Sequence, residues 1–155
     1  MSEPRSAPVE PTVVISDLDG TLANVDHRLH HILEPPADWD AFFLACGDDV
    51  PIERTISVLR HLHAAGYEIV IVSGRGDIAR EATVAWLERY RVPWDRLLLR
   101  GRGDDRPDDA IKRDLVEANE LTPERTLVVL EDRAFVVRFW RERGYHVFQV
   151  ADGDF

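Results

Sequence analysis

Lysine is nearly missing from this sequence: 18 of the 19 basic residues are arginine, and Lys112 is the exception. A coding bias toward arginine accounts for the 18 but not for the one. A position that keeps lysine in such a chain is one where a compact point charge works and a planar guanidinium fork does not. Cysteine is equally scarce, and with Cys46 alone no intrachain disulfide is possible, which fits a reducing compartment. No apolar run approaches the roughly 18 residues of a membrane helix. Residues 1 to 11 (MSEPRSAPVEP) lack the apolar centre of a secretory signal. The expectation is a cytoplasmic, membrane-free protein with a flexible N-terminal tail over residues 1–11. Positive charge is also short, with 29 acidic residues against 19 basic ones and a net charge of −10. That balance excludes a surface devoted to nucleic acid, which needs Lys and Arg to neutralise phosphates. It leaves room for a small phosphorylated ligand or for one strand end in a local groove.

What is present suits one packed domain over residues 12–155: 155 residues, 45% of them hydrophobic. Apolar, β-branched runs recur at Thr12 to Ser16, Glu68 to Val72, Arg96 to Leu99, Thr126 to Leu130 and His146 to Val150. Helical periodicity fills the gaps at Ile52 to Ala65, Ile78 to Tyr90, Asp108 to Glu120 and Ala134 to Arg143. Short apolar strands alternating with amphipathic helices predict an α/β protein, a Rossmann-like three-layer sandwich around a mainly parallel sheet. Gly66 and Gly144 each stand between a helix and a strand, where a glycine ends a helix. Residues 24 to 51 interrupt this rhythm with a segment far longer than a usual strand-to-helix loop. It leaves the carboxyl end of the first strand, the edge where open α/β sheets bind ligands, and is expected to form a small cap.

Four polar clusters fall at strand ends or helix starts: Asp17, Asp19, Gly20 and Thr21 (DLDGT); Ser73, Gly74 and Arg75 (SGR); Lys112; and Glu131 with Asp132. Each has an ordinary explanation as a turn, a cap, a helix-end charge or an exposed ion pair. Parallel strands, however, bring all their carboxyl ends to one edge, so all four clusters are expected to converge. Paired carboxylates from two strand ends make a hard, oxygen-rich site suited to Mg2+. A serine and a lysine on the same rim would face the anion that the metal holds.

In this order the motifs resemble the haloacid dehalogenase superfamily of aspartyl-phosphate phosphotransferases. The 3′-phosphatase domain of bacteriophage-type polynucleotide kinase is the nearer likeness, through DLDGT followed by Arg28, IVSGR, RPDDAIK and the C-terminal EDRAFVVRFWRERGYHVFQVADGDF. The resemblance implies that Asp17 is the nucleophile and that Asp19 is a general acid and base with a raised pKa. It implies that Ser73 and Lys112 bind the transferring phosphoryl oxygens, with Asp108 orienting Lys112. Arg28 and Arg75 would serve the phosphate end of the substrate, within a substrate-binding set that includes Thr21, Gly74 and Asp108. Asp17, the backbone carbonyl of Asp19 and Asp132 would hold Mg2+, with Glu131, an aspartate in most of the subfamily, joining directly or through water.

No GxxxxGK[ST] loop occurs in the 155 residues, so a P-loop kinase is excluded from this chain. Either it works alone, or its kinase partner is a separate protein or was cut away; a separate kinase or ligase is the partner this implies. A small cap cannot enclose a substrate, so a 3′-phosphorylated DNA or RNA end or a nucleotide is the expected substrate. The arginine-rich stretch from Arg91 to Arg113 could follow a backbone or be a solvated loop, its charge offset by Asp104, Asp105, Asp108 and Asp109. A phosphatase of free nucleotides or small esters shares the same chemistry. A catalytically inert relative that binds phosphorylated ends is the rival from another class. His27, His30 and His31 are read as cap or surface residues.

Overall fold

The computed structural model describes residues 7–153, so part of the tail expected over residues 1–11 lies outside the described residues. From the N-terminus the elements are β1 (Val13–Ser16), β2 (Ala23–Asn24), α1 (His30–Leu33), α2 (Trp39–Leu44), β3 (Val50–Pro51) and α3 (Glu53–Ala64). There follow β4 (Glu68–Gly76), α4 (Arg80–Arg89), β5 (Arg96–Arg100), α5 (Asp108–Ala118), β6 (Thr126–Glu131), α6 (Ala134–Glu142) and β7 (Val147–Gln149). Five strands form one parallel sheet in the order β5-β4-β1-β6-β7.

β1 is central, and all four of its residues are buried. That is why VVIS shows no polar alternation: helices cover both faces. Val14, Leu18, Ile56, Leu59, Trp86 and Leu87 pack on one face, bringing in α3 and α4. Val13, Ile15, Val116, Val136, Val137 and Trp140 pack on the other, bringing in α5 and α6. The three layers expected from the strand and helix pattern are therefore present. Gly66, at φ 100°, follows α3 in the left-handed region that a side chain would strain, and its N–H closes on the His63 carbonyl.

The chain leaves β1 for β4 on one side and returns to β6 on the other. The sheet order thus reverses at β1, and the crevice at such a point is where open α/β sheets bind ligands. The segment leaving this edge is tied at its base by a two-stranded antiparallel ladder, Ala23 opposite Pro51 and Asn24 opposite Val50. Between them run a 3-10 turn (Asp26–Arg28), α1, α2 and a second 3-10 turn (Ala45–Asp48). One boundary differs from expectation: SGR does not follow the second sheet strand but lies within it. β4 continues to Gly76, with its pairing to β5 irregular between Val72 and Gly76. No described helix is long and apolar enough to cross a membrane.

Candidate active site

β1 and β6 are neighbours, and the Asp17 N–H donates to the Leu130 carbonyl at 2.9 Å, so the residues following the two strands meet. Asp17, Glu131 and Asp132 are all buried, and one carboxylate oxygen from each lies within 4.8 Å of the others. Lys112, 1% exposed, reaches in from α5 and donates to Asp17 Oδ1 at 3.0 Å and Glu131 Oε2 at 2.7 Å. The Thr21 hydroxyl lies 3.4 Å from Asp17 Oδ2 and 3.2 Å from Asp132 Oδ1. Gly20, at φ 81°, brings the backbone so near the Asp132 carboxylate that a Cβ there would overlap it.

Three carboxylates against one ammonium leave excess negative charge in a buried place. Burial, then the charge of Glu131, pushes the Asp17 pKa well up, and Lys112 only partly offsets them. Asp132 rises to about 6: burial raises it, a hydrogen bond with Asp17 lowers it, and Glu131 raises it again. Burial alone would depress Lys112, but Asp17 and Glu131 outweigh it and hold the ammonium charged. A set of hard oxygen donors with surplus anionic charge fits a divalent cation such as Mg2+.

Asp19 differs from expectation. Its pKa is lowered, not raised, because the Arg75 and Arg28 guanidiniums outweigh burial, which alone would raise it. Both arginines donate to Asp19 Oδ1, Arg28 Nη2 at 2.7 Å. Their own side chains are fully buried, so the structure ties them to Asp19 and not to an open substrate pocket. Beneath them lies Asp49, at 0% exposure, which sequence reasoning missed. Asp49 Oδ1 accepts from Arg28 Nε and Oδ2 from Arg28 Nη2 at 2.8 Å and Arg75 Nη2 at 3.2 Å. The ring of His27, read from sequence as a cap residue, reaches the same carboxylate, its Nε2 2.7 Å from Oδ1. Nothing in the string GDD separates exposed Asp48 from buried Asp49; only the folding back of the cap does.

Asp108 also differs. The hydrogen bonds of Lys112 Nζ run to Asp17 and Glu131, and Asp108 acts on it only as a neighbouring charge. Instead Asp108 accepts from Arg100 Nη2 at 2.6 Å and Arg133 Nη1 at 2.7 Å. Arg100 ends β5, and its Nε donates to the Gly74 carbonyl at 2.7 Å. The strand-end rule that found the other clusters applies to Arg100 as well. Ser73 is buried at the rim, where its Oγ accepts from the Arg75 N–H at 3.1 Å. Several arginines of the stretch from Arg91 to Arg113 are held in ion pairs: Arg96 with Glu68, Arg106 with Asp104 and Asp114, and Arg113 with Asp114.

Comparison with known proteins bears on the same residues. The family profile described as polynucleotide kinase PNKP phosphatase domain, of the haloacid dehalogenase type, matches residues 11–155. A protein of Autographa californica nuclear polyhedrosis virus, assigned as a bifunctional polynucleotide kinase/RNA ligase, is 28% identical over 133 residues, covering 85% of this chain and 18% of that protein. Among solved structures, a chain of the Pnkp1/Rnl/Hen1 RNA repair complex superposes with a TM-score of 0.81 at 31% identity, covering 99% of this chain and 47% of that one. The L-2-haloacid dehalogenase of Xanthobacter autotrophicus shares the fold alone, with a TM-score of 0.63 at 15% identity over 90% of this chain and 77% of that one. The chain thus spans about half the length of the repair-complex protein. With DLDGT, SGR, Lys112 and the Glu131–Asp132 pair gathered on one sheet edge, it belongs to the polynucleotide kinase phosphatase-domain family of the haloacid dehalogenase superfamily.

Proposed function

We propose that this chain is a Mg2+-dependent phosphomonoesterase that removes 3′-phosphates from nucleic acid ends through an aspartyl-phosphate on Asp17. The carrying observation is that Asp17 is gathered with Glu131 and Asp132 around one point, with the Lys112 ammonium bonded to both Asp17 and Glu131. Asp17 attacks phosphorus as the bond to the 3′ oxygen breaks, and Asp19 hands that oxygen a proton to leave a 3′-hydroxyl. Water then attacks phosphorus in the aspartyl-phosphate. Asp19 takes its proton, phosphate leaves and the Asp17 carboxylate is regenerated. Lys112 and Ser73 hold the phosphoryl oxygens as charge develops on them.

The arginine clamp decides when Asp19 can act. Both guanidiniums bind Oδ1, which holds the carboxyl group in place and leaves Oδ2 to carry the proton. In the resting site the clamp keeps Asp19 ionised. A dianionic phosphate beside it would act in the opposite direction to the two guanidiniums, raising the Asp19 pKa when substrate is bound. The carboxylates of Asp17 and Asp132, the Asp19 carbonyl and Glu131, directly or through water, are the groups that would hold Mg2+, which supplies charge neutralisation at the phosphoryl group.

The nucleic acid substrate is supported by membership of a family named for polynucleotide kinase and by relatives named for RNA ligation and repair. A kinase or ligase, on another chain or another segment, is the partner this reading implies. The test is phosphate release, with and without Mg2+, from a 3′-phosphorylated oligonucleotide, its 5′-phosphorylated counterpart and a 3′-mononucleotide. Selective, Mg2+-dependent turnover of the 3′-phosphorylated strand is expected, with none from Asp17→Asn. Preference for the mononucleotide would move the activity to free nucleotides, and ordinary turnover by Asp17→Asn would overturn the mechanism.

A further inference from the structure

We propose that Trp39, on the cap, is a stacking platform for the base of the terminal nucleotide; this rests on the nucleic acid reading above. Trp39 opens α2 and is 53% exposed, whereas Trp86 and Trp140 are 2% and 1% exposed in the core. A half-bare indole keeps a large apolar face in water and gains most when a flat ring covers it.

Its mounting is packed and connects towards the site. The Asp38 side chain accepts from the Ala41 N–H at 2.9 Å and caps α2 at the indole itself. One turn on, Phe43 lies 5.9 Å from the Trp39 ring and so close to Gly76, at the end of β4, that a Cβ there would overlap it. Phe42 meets Trp39 edge-on at 5.8 Å and carries the Arg28 guanidinium 4.2 Å from its own ring centre. Arg28 in turn holds Asp19. Trp39 is therefore linked by two side chains to the carboxylate that serves the leaving 3′ oxygen. The terminal sugar and base are attached to that oxygen, and the Phe43 contact sets α2 at the β4 end of the same sheet edge.

Local charge selects the occupant. Exposed Asp38 and Asp40 stand on either side of Trp39 in the chain and disfavour phosphate nearby, while an uncharged nucleobase meets no such penalty. Aromatic stacking of single-stranded bases is tolerant of sequence, because every base offers a π-face.

The experiment compares a 3′-phosphorylated oligonucleotide with the same strand carrying an abasic terminal nucleotide, on wild type, Trp39→Phe and Trp39→Ala. The ratio of kcat/KM is read together with the ratio of Kd on the corresponding Asp17→Asn proteins, which needs no turnover. Wild type should prefer the natural strand by about tenfold or more. Trp39→Phe should retain most of that preference and Trp39→Ala erase it. An equal loss on both strands, preserving the ratio, would mark a structural role or a site for another protein and overturn the platform while leaving the phosphatase reading intact. Absence of any preference in wild type would do the same. If glycerol phosphate is hydrolysed while neither strand is bound or hydrolysed, the nucleic acid reading and the platform fall together.

Discussion

Asp49 holds two buried arginines with one carboxylate, and those arginines in turn hold Asp19. Replacing it with Asn turns one acceptor into a donor that faces guanidinium N–H groups and leaves the pair under-neutralised. Breaking one partner out of a buried ion pair costs about 3 to 5 kcal/mol. Asp49→Asn should therefore lower the melting temperature by roughly 10 °C and reduce kcat as the clamp loosens, checked by thermal melts beside turnover. A melt within two degrees of wild type would refute it. Residues differ in how far they could be read in advance. Lys112 stood out because the chain has no other lysine, and its confinement between Asp17 and Glu131 suits a point charge. Asp49 carried no such mark. The reversed pKa of Asp19 was invisible too, since it depends on two guanidiniums, from the cap and from β4, meeting on one oxygen.

At the level of elements, the junction of β4 with α5 transmits position to Lys112. Gly74 sits so near the Asp108 carboxylate that a side chain there would overlap it, and Asp108 cannot step aside while Arg100 and Arg133 hold both of its oxygens. Lys112 follows Asp108 by one helical turn. Gly74→Ala should push back the first turn of α5, destabilise the protein by about 1 to 3 kcal/mol, and cut kcat at least tenfold. Denaturant unfolding and steady-state rates check both, and wild-type kcat would show that α5 absorbs the change. Strand and helix identities were legible here because apolar runs and helical periodicity are local. The extension of β4 through SGR was not, since it depends on pairing with β5 beyond an irregular register.

For the whole molecule, the acid cluster makes stability depend on pH and metal. Asp132, held at about 6 against an ordinary 3.8, binds its proton more tightly folded than unfolded. Its contribution is full below pH 3.8 and is lost as pH rises through about 6. Asp17, also raised, acts in the same sense. Asp19, held below its ordinary 3.8, acts oppositely: its contribution is present above that value and lost as the solution becomes more acidic. In EDTA the protein should lose about 2 kcal/mol from Asp132 between pH 4 and 7, at 1.36 kcal/mol per pKa unit. Mg2+ at pH 7.5 should raise the melting temperature by binding the folded cluster. Melts across pH with and without metal test this, and a flat EDTA profile with no response to Mg2+ would contradict it.

The sequence alone determined the alternation of strands and helices, the parallel sheet, and the edge on which DLDGT, SGR, Lys112 and the Glu131–Asp132 pair gather. Those follow from short-range periodicity and from the rule that parallel strands end on one side. Only the tertiary structure decided that Arg28 and Arg75 clamp Asp19, that Asp49 and His27 support them, and that Asp108 engages Arg100 and Arg133. These are choices of partner among many possible charges. Burial and distance make such choices once the cap has folded over the sheet, and neither is written in local sequence.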